Sequence, residues 1–207
     1  RIGSLESGAE RRTQLQQALT KAKEKLAKKA DDLHAERLKL AERMEAEILR
    51  SLQQLEMPRA RLNAVIERRE EITQRGGDRL VWMFSANPGS DPKELKKVGS
   101  GGELSRVMLA LKSMIARHQA LPTVLFDEID TGISGKAAAR MAEVLRELGA
   151  HMQLLAITHL PQVASSGQQH WKVRKEQMSD HTRTTVLPLC DSERIEEIAR
   201  LMSSEGI

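Results

Sequence analysis

The chain has 207 residues, of which 40% are hydrophobic and 30% are charged, so it can bury one domain core and still leave a sizeable segment outside it. Its 33 basic and 29 acidic residues give a formal net charge of +4, and the charges are intermixed rather than gathered in a basic tail. A single cysteine, Cys190, excludes an internal disulfide, and no apolar run reaches the roughly 18 residues of a membrane span, which predicts a soluble cytoplasmic protein without a membrane partner.

Residues 1–57 are predicted to form a coiled-coil arm. Residues 9–56 contain no proline or glycine and are rich in good helix formers. Apolar residues recur every three or four positions, with Arg37 interrupting the series, which indicates a narrow seam that needs a partner helix. A solvated linker helix is the alternative. The seam positions are Leu15, Leu19, Ala22, Leu26, Ala30, Leu33, Leu40, Met44, Ile48, Leu52 and Leu55.

Residues 58–207 are predicted to form a globular α/β domain. Pro58 ends the arm, and helices then alternate with apolar strands, which favours a covered and largely parallel sheet. The expected elements are strands around Leu62–Ile66 and Leu80–Phe84, a helix from Gly101 with an apolar stripe at Leu104, Met108, Leu111 and Ile115, a strand at Val124–Phe126, a helix at Lys136–Leu148, a strand at Leu154–Ile157, a short helix after Pro161, an edge hairpin of Trp171–Val173 with Thr185–Leu187, and a helix at Ile195–Met202.

Two adjacent carboxylates follow the strand at Val124–Phe126. Ligands bind at the carboxyl ends of strands in open α/β sheets, and paired carboxylates there suit a nucleotide–metal site. Asp127 is assigned to Mg²⁺ and Glu128 to the water that attacks a γ-phosphate. An acidic pair that caps a helix is the alternative.

Ser100–Glu103, which we call the SGGE turn, lies at the start of a predicted helix. Its two glycines allow backbone N–H groups to approach a phosphate, and Ser100 can contact phosphate oxygens directly. Ser100 and Glu103 also have the spacing of a capping box, which needs no nucleotide.

Two further polar positions are candidates for the same site. His159 follows the strand at Leu154–Ile157, where an imidazole can sense γ-phosphate charge, although a lone histidine there can also be structural. Asp130–Gly132, the DTG loop, lies two residues after Glu128 and is placed to touch a neighbouring subunit or the surroundings of the attacking water.

The strings SGGELSR, FDEIDTGISG and THLPQVA, in this order and spacing, resemble the signature motif, Walker B motif, D-loop and H-loop of SMC-like ABC-type ATPases. Their extended forms resemble the RecN family of bacterial DNA-repair proteins. The resemblance implies that Ser100, Gly101 and Gly102 bind the γ-phosphate of ATP held by a second head. It likewise implies that Asp127 and Glu128 serve Mg²⁺ and water, that Asp130 is the D-loop acid and that His159 is the switch histidine.

No Walker A string, Gly-x-x-x-x-Gly-Lys-Ser/Thr, occurs in the chain. In the resembled family this loop precedes the coiled coil, so the chain is expected to be the carboxyl-terminal lobe and descending arm of a longer, nucleoid-associated protein. The implied partners are the amino-terminal half of the same protein, a second head and DNA, and the chain alone is not expected to hydrolyse ATP.

Two rival functions remain open from the sequence. One is the head of a different SMC-like ATPase, either chromosome-organising or nuclease-associated, and the other is a non-catalytic coiled-coil assembly module. The arm lysines, Lys21 to Lys29, favour a solvated face over DNA phosphate contacts because they alternate with apolar positions. With two Phe, two Trp and no Tyr, base stacking is not the expected mode of DNA binding.

Overall fold

The computed structural model describes residues 2–127, 129–178 and 182–204. Its elements are α1 (Ile2–Gln54), β1 (Arg61–Thr73), β2 (Gly76–Ser85), β3 (Lys93–Glu94), a 3₁₀ turn (Leu95–Lys97), α2 (Gly101–His118), β4 (Thr123–Asp127), α3 (Gly135–Gly149), β5 (Gln153–Ile157), α4 (Pro161–Ser166), β6 (Trp171–Gln177), β7 (Thr182–Pro188) and α5 (Asp191–Ser204). No helix in these ranges is long and apolar enough to cross a membrane.

Helix α1 is continuous, as the sequence predicts, but it begins before the predicted residue 9 and passes through Gly8. It ends at Gln54, and Glu56 then adopts a left-handed φ of 60°, which stops the helix before Pro58. The residues of the predicted seam differ in their exposure to solvent. Leu15 and Leu19 are more than half exposed, whereas Ile48, Leu52 and Leu55 are fully buried. Ala30 and Ala41, in the middle of α1, are also buried, so the apolar side chains near the start of the helix are the ones left exposed among the described residues.

The chain divides into two compact units. The first contains α1 as far as Ala46 together with Leu62–Met83, and the second contains Glu47–Arg61 together with the described residues from Phe84 onwards. In the first unit, Arg37 donates hydrogen bonds to Asp78 (3.0 Å) and to the carbonyl of Arg75 (2.7 Å). Arg37 interrupts the apolar series because it pairs with this buried carboxylate. Burial opposes ionisation of Asp78, but hydrogen bonds from His34 and Arg37 outweigh it and lower its pKa.

The second unit contains a parallel pair of strands. β4 and β5 pair from Thr123↔Gln153 to Asp127↔Ile157, and α3 connects them. Phe126 is buried on one face of the pair, whereas Leu125 (56%) and Ile157 (49%) are exposed on the other. The expectation of a covered sheet is thus met on one face only, within the described residues.

Two further expectations need correction. The hairpin β6–β7 forms as an antiparallel pair, but it is a separate two-stranded sheet rather than an edge of the β4–β5 sheet in the described ranges. In α2, Met108 and Ile115 from the predicted stripe are exposed. The buried positions are Gly102, Val107, Leu109, Ala110, Ser113, Met114 and Ala116. The sequence contains a second apolar stripe at the same helical spacing, so spacing by itself does not decide which stripe faces the core.

Candidate functional site

The candidate site lies at the carboxyl ends of β4 and β5. The parallel register sets Asp127 opposite Ile157, so both strands end at the same edge. Asp127 is exposed at this edge, and Thr158 and His159 follow β5 directly. Among the described residues after Asp127, the next helix begins at Gly135 with Ser134 as its N-cap, and this distance disfavours the helix-capping alternative for Asp127.

Asp130 connects the two loops that follow these strands. Its side chain is 1% exposed, and its Oδ2 accepts a hydrogen bond from the backbone N–H of His159 at 3.0 Å and another from the Thr158 hydroxyl. The Nδ1 of His159 lies 3.4 Å from the same oxygen, while 66% of the imidazole is exposed. Thr158 in turn accepts a hydrogen bond from the N–H of Leu160 (3.0 Å). The turn that presents the His159 ring is therefore folded around a buried carboxylate.

The other carboxylate oxygen of Asp130 has no hydrogen-bond donor among the described residues. This oxygen, Oδ1, is buried. A buried oxygen without a donor costs free energy, about 1–3 kcal/mol or more when charged, so native proteins rarely leave one unpaired. Oδ1 of Asp130 is therefore available to accept a hydrogen bond from a group outside the described residues.

The SGGE turn opens α2, and Ser100 occupies the N-cap with extended backbone (φ −85°, ψ 115°). Ser100 makes no side-chain capping hydrogen bond, so the capping box that the S-x-x-E spacing also allowed does not form from Ser100. The exposed Ser100 hydroxyl and the N–H groups of the first turn lie at the positive end of an 18-residue helix. This arrangement suits a phosphate oxygen.

Backbone contact joins the SGGE turn to the DTG loop. A Cβ built on Gly102 would lie 2.3 Å from the carbonyl oxygen of Gly132, and Gly132 itself has a φ of +71°. The Ser105 hydroxyl also donates a hydrogen bond to the Thr131 carbonyl at 3.4 Å. The structure thus links the SGGE turn to the DTG loop by contact, and the DTG loop to His159 through Asp130. Two glycines are needed because any side chain would separate these backbones.

Magnesium is implied by the motifs, and the residues present fit it in part. Asp127 supplies one exposed carboxylate at the strand ends, and Mg²⁺ is usually held by one or two carboxylates with waters and substrate phosphates. Among the described residues, no group of three or more His, Cys, Asp or Glu side chains is placed to hold a metal ion. Glu128, the predicted water-orienting residue, lies outside the described residues.

Sequence reasoning missed two participants, Thr158 and Arg106. Thr158 has no assigned role in the sequence, yet its hydroxyl bonds to Asp130. Gly132 belongs to the predicted DTG loop, but the sequence does not indicate its contact with Gly102. Arg106 donates hydrogen bonds to Gly102 and to Leu55, and the 51-residue separation from Leu55 leaves no local signal.

Comparisons with solved structures define the class. An Smc head domain with a coiled coil and joint from Pyrococcus yayanosii superposes with a TM-score of 0.61 at 22% identity, over 79% of this chain and 30% of that one. A structure from work on ATP-driven dimerization and DNA-stimulated activation of SMC ATPases gives 0.53 at 20% identity, over 79% of this chain and 94% of that one. The chain has the fold of an SMC head domain.

Sequence relatives give the family. The DNA repair protein RecN of Rickettsia bellii is 38% identical over 207 residues, covering 100% of this chain and 38% of the relative. RecN of Rickettsia prowazekii is 40% identical over 184 residues, covering 89% and 33%, and RecN of Vibrio cholerae is 37% identical over 179 residues, covering 86% and 32%. No family model matches the chain. The chain belongs to the RecN family, and it spans about a third of the length of these relatives.

Proposed function

We propose that this chain is the carboxyl-terminal part of an SMC-like ATPase that acts in DNA double-strand-break repair and recombination. In this proposal residues 1–57 form the descending coiled-coil arm and residues 58–207 form the carboxyl-terminal lobe of the head. The relatives are DNA repair proteins, and the SMC head fold supports ATP as the substrate. The observation that carries the proposal is the contact between Gly102 and Gly132, since it joins the SGGE turn to the loop that holds His159.

The proposed roles follow from the position of each group. Ser100, Gly101, Gly102 and Glu103 form the binding turn for the γ-phosphate of ATP held by a second head, because the turn presents backbone N–H groups at a helix start. Asp127 holds Mg²⁺, which when bound neutralises charge on the phosphate oxygens. Glu128 orients and deprotonates the attacking water.

Asp130 and His159 form the second half of the proposed site. Asp130 orients the backbone of His159 by accepting its N–H, and the exposed imidazole faces solvent, where a phosphate can approach it. Asp130 Oδ1, without a partner in the described ranges, accepts a donor from the rest of the assembled head. These two residues therefore sense whether nucleotide and partner are in place.

The exposed face of the β4–β5 pair supports the presence of a second lobe that packs against it. Parallel strands occur almost only with both faces covered, yet Leu125, Leu155 and Ile157 are about half exposed. The chain also contains no Walker A string. We infer that the amino-terminal half of the same protein supplies the Walker A lobe against this face and an ascending helix against the exposed seam of α1.

ATP turnover tests the proposal. The chain is assayed alone, mixed with the amino-terminal segment of its protein, and mixed as the variants Glu128→Gln and Glu147→Gln, with and without DNA. We expect turnover only in the mixture, strong loss in Glu128→Gln and little change in Glu147→Gln, an exposed glutamate of α3. Turnover by the chain alone would contradict the divided head. No turnover in a mixture that demonstrably assembles would favour a non-catalytic assembly module.

A further inference from the structure

The guanidinium of Arg106 bridges two backbone carbonyls that are distant in sequence. Its Nε donates to the carbonyl of Gly102 at 3.1 Å, and its Nη1 donates to the carbonyl of Leu55 at 3.3 Å. Gly102 belongs to the SGGE turn, and Leu55 directly follows the last residue of α1. One side chain therefore joins the candidate nucleotide site to the end of the long helix.

The carboxyl-terminal end of α1 has backbone carbonyls that need a hydrogen-bond donor from outside the helix. The last carbonyls of a helix have no intrahelical partner, and an arginine can satisfy one of them. The N–H of Leu55 bonds to Ser51 and that of Met57 to Leu52, while Glu56 takes a left-handed φ of 60°. Leu55 itself is fully buried. Arg106 consequently fixes the position of a buried turn rather than a fraying end.

A second polar contact ties the same part of α1 to α2. The Nε2 of His118, in the last turn of α2, lies 2.9 Å from Oε2 of Glu47. α2 is thus tied to the final turns of α1 near both of its ends, by Arg106 near its first turn and by His118 at its last. The Arg106 contact involves a residue of the SGGE turn, whereas the His118 contact is at the opposite end of the helix. This pair allows a matched comparison.

The contacts between Gly102 and the DTG loop restrict how the SGGE turn can move. The close approach of Gly102 to Gly132 means that the SGGE turn cannot shift toward the DTG loop without moving it. Asp130 in that loop holds the backbone of His159. If Leu55 moves, either the hydrogen bonds of Arg106 break or Gly102 moves with it. In the second case the DTG loop and the turn at His159 must move as well.

We propose that Arg106 is a positioning residue that makes the SGGE turn and the DTG loop follow the end of α1. The inference rests on the proposed function only for its consequence, which is that movement of the arm changes the affinity of the head for ATP. The planar guanidinium is suited to this role because it holds two donors at fixed directions, whereas a lysine offers a single charged point. Arg106→Lys should accordingly restore only part of the coupling.

Hydrogen–deuterium exchange tests the coupling without nucleotide. Arg106→Met keeps the aliphatic stem and removes the donors, and His118→Ala is the control at the other end of α2. We expect Arg106→Met to raise amide exchange several-fold in three segments at once, 55–60, 101–105 and 129–133, with α3 unchanged. His118→Ala should raise exchange only around Glu47 and the last turn of α2. Equal patterns in the two variants, or a change confined to one segment in Arg106→Met, would overturn the inference.

A second measurement uses the head assembled with its amino-terminal segment. We expect Arg106→Met to raise the KM for ATP several-fold, Arg106→Lys to give an intermediate value, and His118→Ala to leave the KM unchanged. An unchanged KM in Arg106→Met overturns the inference when the wild-type head turns over ATP. If the assembled wild type has no turnover, the proposed function fails, and the exchange experiment still decides whether Arg106 couples the two segments.

Discussion

Gly102 packs so closely on Gly132 that a Cβ on Gly102 would lie 2.3 Å from the Gly132 carbonyl oxygen. Gly102 is the second residue of α2, and alanine is ordinarily a better helix former than glycine. Helix propensity and tertiary contact therefore make opposite predictions for this position. The contact should win, because the obstructing atoms belong to backbone and cannot rotate away.

The first prediction compares neighbouring glycines of the SGGE turn. Gly102→Ala should lower the free energy of unfolding by about 2 kcal/mol, as overpacking usually does. Gly101→Ala should change it by less than about 0.5 kcal/mol, since a Cβ there would meet its nearest atoms at 3.9 Å. Urea unfolding of both variants measures the difference. Equal stabilities would mean that the two loops are not in the contact described.

The second prediction separates two aspartates that both belong to the predicted site. Asp130→Ala should destabilise the chain by about 2–3 kcal/mol, because the N–H of His159 and the hydroxyl of Thr158 lose their acceptor in a buried site. Asp127→Ala should change stability by less than about 0.5 kcal/mol, because Asp127 is exposed. In the assembled head, however, Asp127→Ala should abolish ATP turnover. Thermal unfolding and turnover together test the assignment, which fails if Asp127 proves the more important for stability.

The third prediction concerns acid stability and Glu197. Hydrogen bonds from Arg200 outweigh burial and, with Lys172, lower the pKa of this glutamate from 4.5 to about 2. Because the folded-state pKa is depressed, the stabilisation is present above pH 4.5 and is lost as the pH falls toward 2. Glu197→Gln should therefore lower stability by about 1–2 kcal/mol at pH 7 and flatten its decline between pH 5 and 2.

Unfolding by urea at a series of pH values provides the measurement for Glu197. Glu196→Gln, which removes a charge from an exposed position of the same helix, is the control and should change stability at pH 7 by no more than a few tenths of a kcal/mol. An undiminished acid dependence in Glu197→Gln would show that the ion pairs with Arg200 and Lys172 do not stabilise the fold.

The fourth prediction concerns the interruption of the apolar series in α1. From the coiled-coil pattern alone, Arg37→Leu completes the seam and should stabilise the helix. The structure predicts destabilisation by about 2 kcal/mol, because Asp78, whose side chain is 3% exposed, loses a charged donor. Lys39→Leu removes a surface pair with Glu36 whose side chains are mostly exposed, and should have little effect. Thermal unfolding that ranks Arg37→Leu above the wild type would contradict the pairing.

The sequence anticipated most of the local structure and the approximate place of the site. An uninterrupted run of helix formers predicted α1, and apolar runs between turn residues predicted β4 and β5. Because parallel strands end at one edge, the residues after them were expected to be neighbours, and the register of Asp127 with Ile157 confirms this. The roles of Ser100, Asp127, Glu128 and His159 in nucleotide chemistry remain predictions.

Other features depended on contacts between distant residues. Spacing could not choose between two apolar stripes in α2, and it could not indicate that Asp130 turns inward while Asp127 remains exposed. The partner of Arg37 lies 41 residues away, and that of Arg106 lies 51 residues away. No periodic pattern encodes such pairs.

The sequence by itself determined the elements and the chemical groups available to the site, because helix propensity, strand patterning and turn residues act over a few neighbouring positions. Only the tertiary structure decided which carboxylate is buried, which glycines touch and which arginine joins the helix end to the SGGE turn. Those outcomes depend on how the folded chain packs. Because the interior is close-packed, a shift of one position along a helix changes the partners of every side chain on it.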